Sequence, residues 1–222
     1  MKVVGSIVFA VSLLAFAGPA LCQQPADNGS GNSAPLQRYV TGEIGAVSAG
    51  STTMVLATEY GETVSRHSQA YVNLSYLDNV MTQTMIDNLA AAGDALTLVT
   101  GTPYTFSGRD RGIAFTGGGK FVAGSTVRPY IGAGGGVLNV HRKIDELTVG
   151  DVSVAFSQTG LGDGVVNGGT TTSIKPLMEV VGGVAFLAGQ AYIDVGYRYR
   201  RAFHTPATFD FSQVTVGIGA KW

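Results

Sequence analysis

Charged residues and cysteine are both scarce in this sequence of 222 residues. Aspartate, glutamate, lysine and arginine make up only 13% of the chain, and they leave a net charge of -1. The chain therefore lacks the electrostatic attraction that drives nucleic-acid binding, and we expect no nucleic-acid partner. The single cysteine, Cys22, has no second cysteine with which to form a disulfide within the chain.

Long hydrophobic runs are absent apart from one at the N-terminus. Residues 3–17 are apolar, follow Lys2 and precede a short segment with small residues, which is the pattern of a signal peptide. The run is shorter than the ~20 residues of a spanning helix. We predict a signal peptide over residues 1–22, with cleavage that removes Cys22 and with it any thiol chemistry. A retained anchor and a lipidated Cys22 are the alternatives, although bulky Leu21 stands where a lipidation signal has a small residue.

Glycine, in contrast, is abundant, and it accompanies an alternating pattern. The 32 glycines are roughly double the usual share of about 7%. Residues 23–36 are rich in Gln, Asn, Ser, Gly and Pro and are predicted to be a disordered periplasmic linker. From residue 37 onward, apolar residues alternate with small or polar ones, which is the period of β-strands. We predict one β-domain over residues 37–222.

The alternation defines two faces in each predicted strand. In residues 214–222 the even positions are all apolar, whereas the odd positions carry Thr, Gly, Gly and Lys. In residues 191–200 one face is apolar or tyrosine, and the other carries Asp194, Arg198 and Arg200. The pattern predicts eight strands, within residues 40–46, 54–63, 70–76, 113–121, 127–137, 177–187, 191–200 and 214–222.

The lengths of the gaps between these strands also alternate. The second, fourth and sixth gaps, near residues 65–68, 123–125 and 188–190, are tight. The third and fifth, near residues 78–110 and 142–173, are long. Spanning barrels have short periplasmic turns, longer outer loops and strands of about 9 to 11 residues. The spacing therefore predicts that both ends of the barrel lie on the periplasmic side.

These features favour a closed eight-stranded antiparallel up-and-down transmembrane β-barrel. In lipid every backbone polar group must be paired within the protein, so strands span only as a ring without edges. A soluble, lipocalin-like barrel with its apolar face inward is the alternative. Tyr76, Tyr199 and Trp222 fall where strands should meet the membrane interface, and aromatic girdles there are typical of membrane barrels.

The polar face carries charges of both signs. An eight-stranded barrel is narrow enough to be filled by side chains, and a near-balanced set of charges can pair inside it. We therefore predict a charge network that plugs the lumen. Its predicted members are Glu43, Glu59, Lys120, Arg128, Glu179, Asp194, Arg198, Arg200 and Lys221.

Four segments resemble a known family, the outer-membrane β-barrel domains that include opacity-type proteins and the OmpA transmembrane domain. They are residues 39–45 (YVTGEIG), 128–136 (RPYIGAGGG), 195–199 (VGYRY) and the final strand. The resemblance implies a Gram-negative outer-membrane location. It also implies that the terminal aromatic, here Trp222, is read by the barrel-assembly machinery. Family functions include structural anchoring, adhesion and small pores.

Catalytic and metal chemistry have little support in the sequence. His67 falls in a predicted periplasmic turn, whereas His141 and His204 fall at outer strand ends, so a shared metal site is blocked by topology. Some small barrels that resemble this one modify lipid A with a rim histidine and serine. The available pairs are His204 with Ser212 and His141 with Ser153, and their spacing shows no contact between nucleophile and base. We expect no enzyme activity, no cofactor and no metal.

The function expected from the sequence is a structural or surface-contact role in the outer membrane, carried by the long extracellular loops. Residues 81–98 repeat apolar positions at helical spacing, which predicts a short amphipathic helix that caps the mouth, rests on the outer leaflet or packs on the rim. The expected partners are outer-membrane lipid, lipopolysaccharide and, during biogenesis, the barrel-assembly machinery. The extracellular partner is unknown. A small porin or carrier for small or apolar solutes is the alternative function.

Overall fold

Eight long antiparallel strands form a closed ring. The computed structural model describes residues 37–149, 152–155, 170–203 and 208–222, so the predicted signal peptide and linker lie outside the described residues. The strands are β1 (Arg38–Ser48), β2 (Thr52–Ser65), β3 (Ser68–Leu77), β4 (Tyr104–Val122), β5 (Val127–Val149), β6 (Val152–Ala155), β7 (Thr170–Ala188), β8 (Ala191–Ala202) and β9 (Phe209–Lys221), and the helix is α1 (Gln83–Thr100).

The ring closes through β1 and β9. Pairs from Tyr39↔Lys221 to Ser48↔Ser212 join the first long strand to the last, and β4 pairs with β5, so the order around the ring is β1-β2-β3-β4-β5-β7-β8-β9. Among the described residues, the short β6 pairs with the outer end of β5 and is not one of the eight ring strands. The prediction of an eight-stranded antiparallel barrel is confirmed.

The predicted alternation of connections is present. Adjacent strands at one end are joined by tight turns at residues 66–67, 123–126 and 189–190, and Gly124 (φ 83°) and Gly189 (φ 62°) adopt left-handed backbone there. Glycine has no Cβ and adopts this conformation at no steric cost. The chain ends of the barrel lie at the same end, where the Arg38 amide donates to the Trp222 carbonyl at 2.9 Å. We call this end periplasmic and the opposite end outer.

The predicted strand bounds were wrong at the outer end. β4 has 19 residues, β5 has 23 and β7 has 19, so each is much longer than the roughly 9 to 11 residues expected of a spanning strand. Residues 104–110, 142–149 and 170–173, which the spacing of the sequence assigns to loops, are therefore paired strands. The predicted alternation of outward apolar and inward polar residues fails there, because the outward Arg109 is polar like the inward Asp110.

The helix predicted in the third gap is confirmed and lies against the inward face of the β4 extension. Thr82 accepts a hydrogen bond from the Met85 amide as N-cap, and Gly101 (φ 73°) ends the helix with its N–H bonded to the Thr97 carbonyl. The buried Gly93 allows the helix to approach the Tyr104 carbonyl, because a Cβ there would lie 2.5 Å from that oxygen. Of the described helical segments, none has the length and apolarity to cross a membrane.

Candidate functional site: the barrel interior

Alternate residues of every ring strand point into the barrel, and they carry buried charges together with tyrosines, glycines and aliphatic side chains. The outward residues are mainly apolar and exposed, so the two faces follow the predicted assignment. Seven of the nine predicted network residues are inside and no more than 5% exposed: Glu43, Glu59, Lys120, Glu179, Asp194, Arg198 and Arg200. The remaining two lie near the periplasmic end.

Those two, Arg128 and Lys221, are half-buried and take no part in the network. Arg128 follows the β4–β5 turn by two residues, and its Nε atom is buried without a hydrogen-bond partner. Lys221 pairs with Tyr39 in the strand register, one residue from the end of the chain. In the described part of the chain, neither forms an ion pair with another side chain.

Glu59 is the central acceptor of the network. It accepts hydrogen bonds from Lys120, from Arg198 and, at 2.7 Å from the hydroxyl to Oε1, from Tyr39. These four residues come from β2, β4, β8 and β1, so the contacts cross the lumen and also follow the wall. Arg198 further lies 3.6 Å from the carboxylate of Glu43.

Arg200 joins opposite walls of the barrel. Its Nε donates to Oε2 of Glu179 at 2.9 Å, and its Nη1 donates to Gln213 at 2.9 Å and to Ser75 at 3.1 Å. Its Nη2 donates to Asn73 at 3.0 Å. This fully buried guanidinium uses four of its five N–H donors and pairs its charge with Glu179, and such pairing is what allows burial of a charge.

Four interior tyrosines surround the charges. None of them was among the predicted members of the network. The Tyr71 hydroxyl donates to Glu179 at 2.7 Å and the Tyr130 hydroxyl donates to Asp194 at 2.9 Å, while Tyr39 stacks on Tyr192 with ring centroids 4.7 Å apart. The Lys120 ammonium lies 4.4 Å from the Tyr130 ring centroid and 5.0 Å from that of Tyr71. All four tyrosines occupy strand positions that alternate with the apolar outward residues. This alternation could have identified them as inward-facing members of the network.

An apolar layer fills the interior above the charges, toward the outer end. Its large members include Leu77, Leu138 and Phe211, each no more than 2% exposed. This layer was not predicted from the sequence, because the inward positions of every strand were expected to be polar. The remaining buried members are Val47, Val55, Val80, Ala114, Val140, Leu177 and Ala202.

The interior therefore has two zones along its axis. Four carboxylates and three cations form the lower zone with the tyrosines, and the apolar cluster forms the upper one. Arg200 and Phe211 are partners in the β8–β9 register, so the zones meet at that pair. Above the apolar zone, the inward Arg142 binds Asp110 at 2.8 Å and contacts the Met85 sulfur of α1 at 3.0 Å.

One candidate rim catalytic pair, His141 with Ser153, is not assembled, and the other includes His204, which lies outside the described residues. His141 contacts the Thr172 hydroxyl at 3.2 Å. Ser153 is on β6 opposite Thr148, which lies seven residues beyond His141 on β5, or ~23 Å at about 3.3 Å per residue. Ser212 bonds the Tyr197 hydroxyl at 2.9 Å, whereas His204 lies outside the described residues. His67 is in the periplasmic turn, at the opposite end of the barrel from His141.

The outer wall of the ring carries a continuous apolar belt. Ile131, Val180, Ile218 and Phe115 are more than half exposed, which is unfavourable in water and favourable against hydrocarbon. The predicted girdle residues Tyr76, Tyr199 and Trp222 lie on this outward parity. An inward charge network and an outward apolar belt exclude the soluble alternative, which has the opposite arrangement.

Comparisons with known proteins agree with this architecture. No family model matches the sequence, and no curated protein matches it. The fold is similar to that of neisserial surface protein A, with a TM-score of 0.52 and 13% identity over 84% of this chain and 97% of that chain. Ail of Yersinia pestis gives 0.48 and 11% over 84% and 98%. A major outer membrane protein of Thermus thermophilus gives 0.47 and 8% over 85% and 100%.

At such low identity the first of these similarities shows the fold. It is the fold of eight-stranded outer-membrane barrels, to which the resemblance in the sequence points. This fold, together with the apolar belt, places the protein in the outer membrane.

Proposed function

We propose that this protein is a non-conducting, non-enzymatic barrel that makes surface contacts through its outer extensions. The observation that carries the proposal is the set of side-chain bonds across the lumen, from Arg200 on β8 to Asn73 and Ser75 on β3. These two strands are four positions apart in either direction around the ring of eight. A side chain that bonds the opposite wall narrows the lumen at its own level, which supports a plugged barrel.

The apolar zone supports the same proposal. An ion that enters from outside meets Leu138, Leu77 and Phe211, which offer no polar group to replace its water, beside the buried Lys175 on β7. Transfer of an unpaired charge into such surroundings is strongly unfavourable. The charged zone below is also occupied, because its cations and carboxylates already bind each other.

The surface-contact role is supported by the size of the outer structure. The extensions of β4, β5 and β7, the hairpin strand β6 and α1 all lie beyond the apolar belt. At the end of α1, Leu98 and Val99 are 87% and 84% exposed. Adjacent apolar side chains with this exposure are a suitable contact for a molecular partner.

Planar-bilayer recording of the refolded protein tests the lumen. We expect no steady conductance at moderate voltage, and a large, steady conductance would contradict the proposal and favour the porin alternative. A double variant, Leu138→Ser with Leu77→Ser, provides the comparison, because polar groups in the apolar zone should allow water and small ions to enter.

Cell adhesion tests the surface role. Cells that display the wild-type chain should bind protein-coated surfaces more strongly than cells with the double variant Leu98→Ser, Val99→Ser, at equal surface levels of the protein. A matched control replaces two exposed alanines of α1, Ala90→Ser and Ala91→Ser. Equal binding by all three strains would contradict a contact through the end of α1.

The partners in this proposal are outer-membrane lipid, lipopolysaccharide and the barrel-assembly machinery, with Trp222 as the assembly signal. Trp222 is outward-facing and 39% exposed at the periplasmic end of β9, where a folding machine in the periplasm has access to it. The separation of His141 from Ser153 supports a role without acyl chemistry.

A further inference from the structure

The outward wall of β4 and β5 changes character abruptly at its outer end. On β4, Ile113 and Phe115 are 50% and 53% exposed and belong to the apolar belt, whereas the next two outward residues are Arg111 and Arg109. On β5, Val137 belongs to the belt, and Asn139, His141 and Lys143 follow it. The register places Arg111 opposite His141 and Arg109 opposite Lys143.

We propose that this wall is a binding site for the phosphate group of an outer-leaflet lipid, with Arg111 as the principal contact. The inference rests on the lipid partners of the proposed function, and it adds the residue and the chemical group that would make the contact. It holds whether or not the lumen conducts.

The depth of Arg111 matches the position of lipid headgroups. The belt on β4 runs from Phe121 to Ile113, which is ~27 Å along the strand at about 3.4 Å per residue. With the usual tilt of about 35–45°, this corresponds to ~20 Å along the membrane normal, close to the ~25 Å of a membrane barrel's apolar band. Arg111 is the next outward residue, so it lies at the boundary between hydrocarbon and headgroups.

Arg111 also has its charge available. It is exposed, and within the described part of the chain no carboxylate lies at ion-pair distance from it. Its neighbour Arg109 already binds Asp78, and His141 contacts the Thr172 hydroxyl at 3.2 Å. An exposed guanidinium beside these donors can form a bidentate pair with a phosphate.

The opposite side of the barrel provides a natural contrast. Arg201 is also outward-facing at the outer end, on β8, but it binds Asp210 on β9 through two hydrogen bonds of 2.8 and 3.0 Å. The Asp210 carboxylate occupies the same donors that a phosphate would use. Two arginines near the same rim therefore differ in whether an internal anion already satisfies them.

The apolar wall beneath Arg111 selects a lipid over a soluble anion. Ile113, Phe115 and Val137 form a continuous apolar surface directly below the guanidinium. A lipid whose acyl chains lie along these residues brings its phosphate to Arg111 without further movement. A soluble anion obtains only the electrostatic contact, which salt screens at an exposed site.

Lipid titration tests the site. Wild type, Arg111→Gln and the matched control Arg201→Gln are folded in neutral detergent, and heat-modifiable gel mobility verifies folding of each. Each is titrated with bisphosphorylated lipid A and with dephosphorylated lipid A, and native mass spectrometry counts the bound lipid. We expect wild type to prefer the phosphorylated form by about tenfold, Arg111→Gln to lose most of that preference, and Arg201→Gln to retain it.

Three outcomes would overturn the inference. Equal binding of the two lipid A forms by wild type would show that the phosphate group is not recognised. An equal preference for phosphorylated lipid A in Arg111→Gln and Arg201→Gln would show that Arg111 is not the specific contact. Binding of inositol hexakisphosphate as tight as that of lipid A, with the same loss in Arg111→Gln, would show a soluble-anion site instead. None of these results depends on conductance, so they stay distinct from a failure of the proposed function.

Discussion

Arg200 on β8 donates to the Asn73 side chain on β3 at 3.0 Å, across the full width of the barrel. The same guanidinium binds Glu179 on the neighbouring strand β7 at 2.9 Å. A single side chain therefore joins adjacent and opposite parts of the wall. This makes the interior a structural element of the barrel, and stability, assembly and permeability should all respond to changes in it.

Replacement of Arg200 by methionine should strongly destabilise the barrel. The change leaves the Glu179 carboxylate without its closest cation and removes a hydrogen-bond donor from both Asn73 and Gln213. Loss of one partner of a buried ion pair typically costs about 3–5 kcal/mol. Urea unfolding of the barrel in lipid vesicles measures this loss of free energy of unfolding.

Arg201→Met is the control for that change. Arg201 is the adjacent residue and also pairs with a carboxylate, but its pair is exposed to solvent, so we expect little change in stability. Equal losses in both variants would show that the Arg200 contacts across the lumen contribute no more than a surface pair.

Leu138→Ala should destabilise the apolar zone. Leu138 is fully buried, and truncation of such a leucine leaves a cavity that typically costs about 2–5 kcal/mol. The adjacent Val137 faces the membrane and is 45% exposed, so Val137→Ala leaves no enclosed cavity and should have a much smaller effect. Thermal or urea unfolding of both variants tests this, and equal effects would contradict a packed upper zone.

Gly136→Ala should impair closure of the barrel, whereas Gly135→Ala should not. A Cβ on the inward Gly136 would lie 1.9 Å from the Phe115 carbonyl oxygen of β4, which requires the strands to move apart. A Cβ on the outward Gly135 would lie 3.4 Å from the Leu177 carbonyl oxygen, an ordinary contact. The fraction of refolded protein with heat-modifiable mobility separates the two variants. Equal yields would show that close strand approach at Gly136 is dispensable.

Trp222→Ala should lower the amount of protein assembled in cells without lowering refolding yield in detergent. The first effect follows if the terminal aromatic is an assembly signal, and the second follows because Trp222 lies outside the packed interior. Trp222→Phe should assemble normally. Quantitative fractionation of outer membranes measures assembly. A parallel loss of refolding in detergent would instead assign Trp222 a structural role.

Much of the wall could be predicted from the sequence because each strand exposes one face to lipid. Residues 191–200 show this best, since the odd positions are apolar or tyrosine, whereas the even positions are tyrosine, glycine or charged. The faces of all eight strands follow from this parity, and the placement of Glu59, Lys120, Arg198 and Arg200 inside follows with them. The alternation is a local property of each strand, so the inward and outward faces can be predicted without knowing which strands pair.

The outer extensions and the apolar zone could not be predicted in the same way. Leu77 and Leu138 occupy the inward parity, and local alternation does not distinguish a leucine in a closed lumen from an exception to the pattern. In the extension of β4 the alternation is inverted, because Phe106 is buried on the inner side, which α1 partly covers, whereas Thr105 and Ser107 are exposed on the outer side. Its strand character depends on pairing with β5, 32 residues away at Asp110↔Arg142.

The sequence by itself therefore determined the number of strands, the inward and outward face of each strand, and the position of the start of β1 and the end of β9 at the same end of the barrel. Which charges meet was decided only by the closed ring, because Arg200 and Asn73 are 127 residues apart along the chain. Their contact depends on the stagger of all eight strands together. The same closure brings leucines from several strands into one layer above the charges, and it leaves Arg111 outside, at the level of the lipid headgroups.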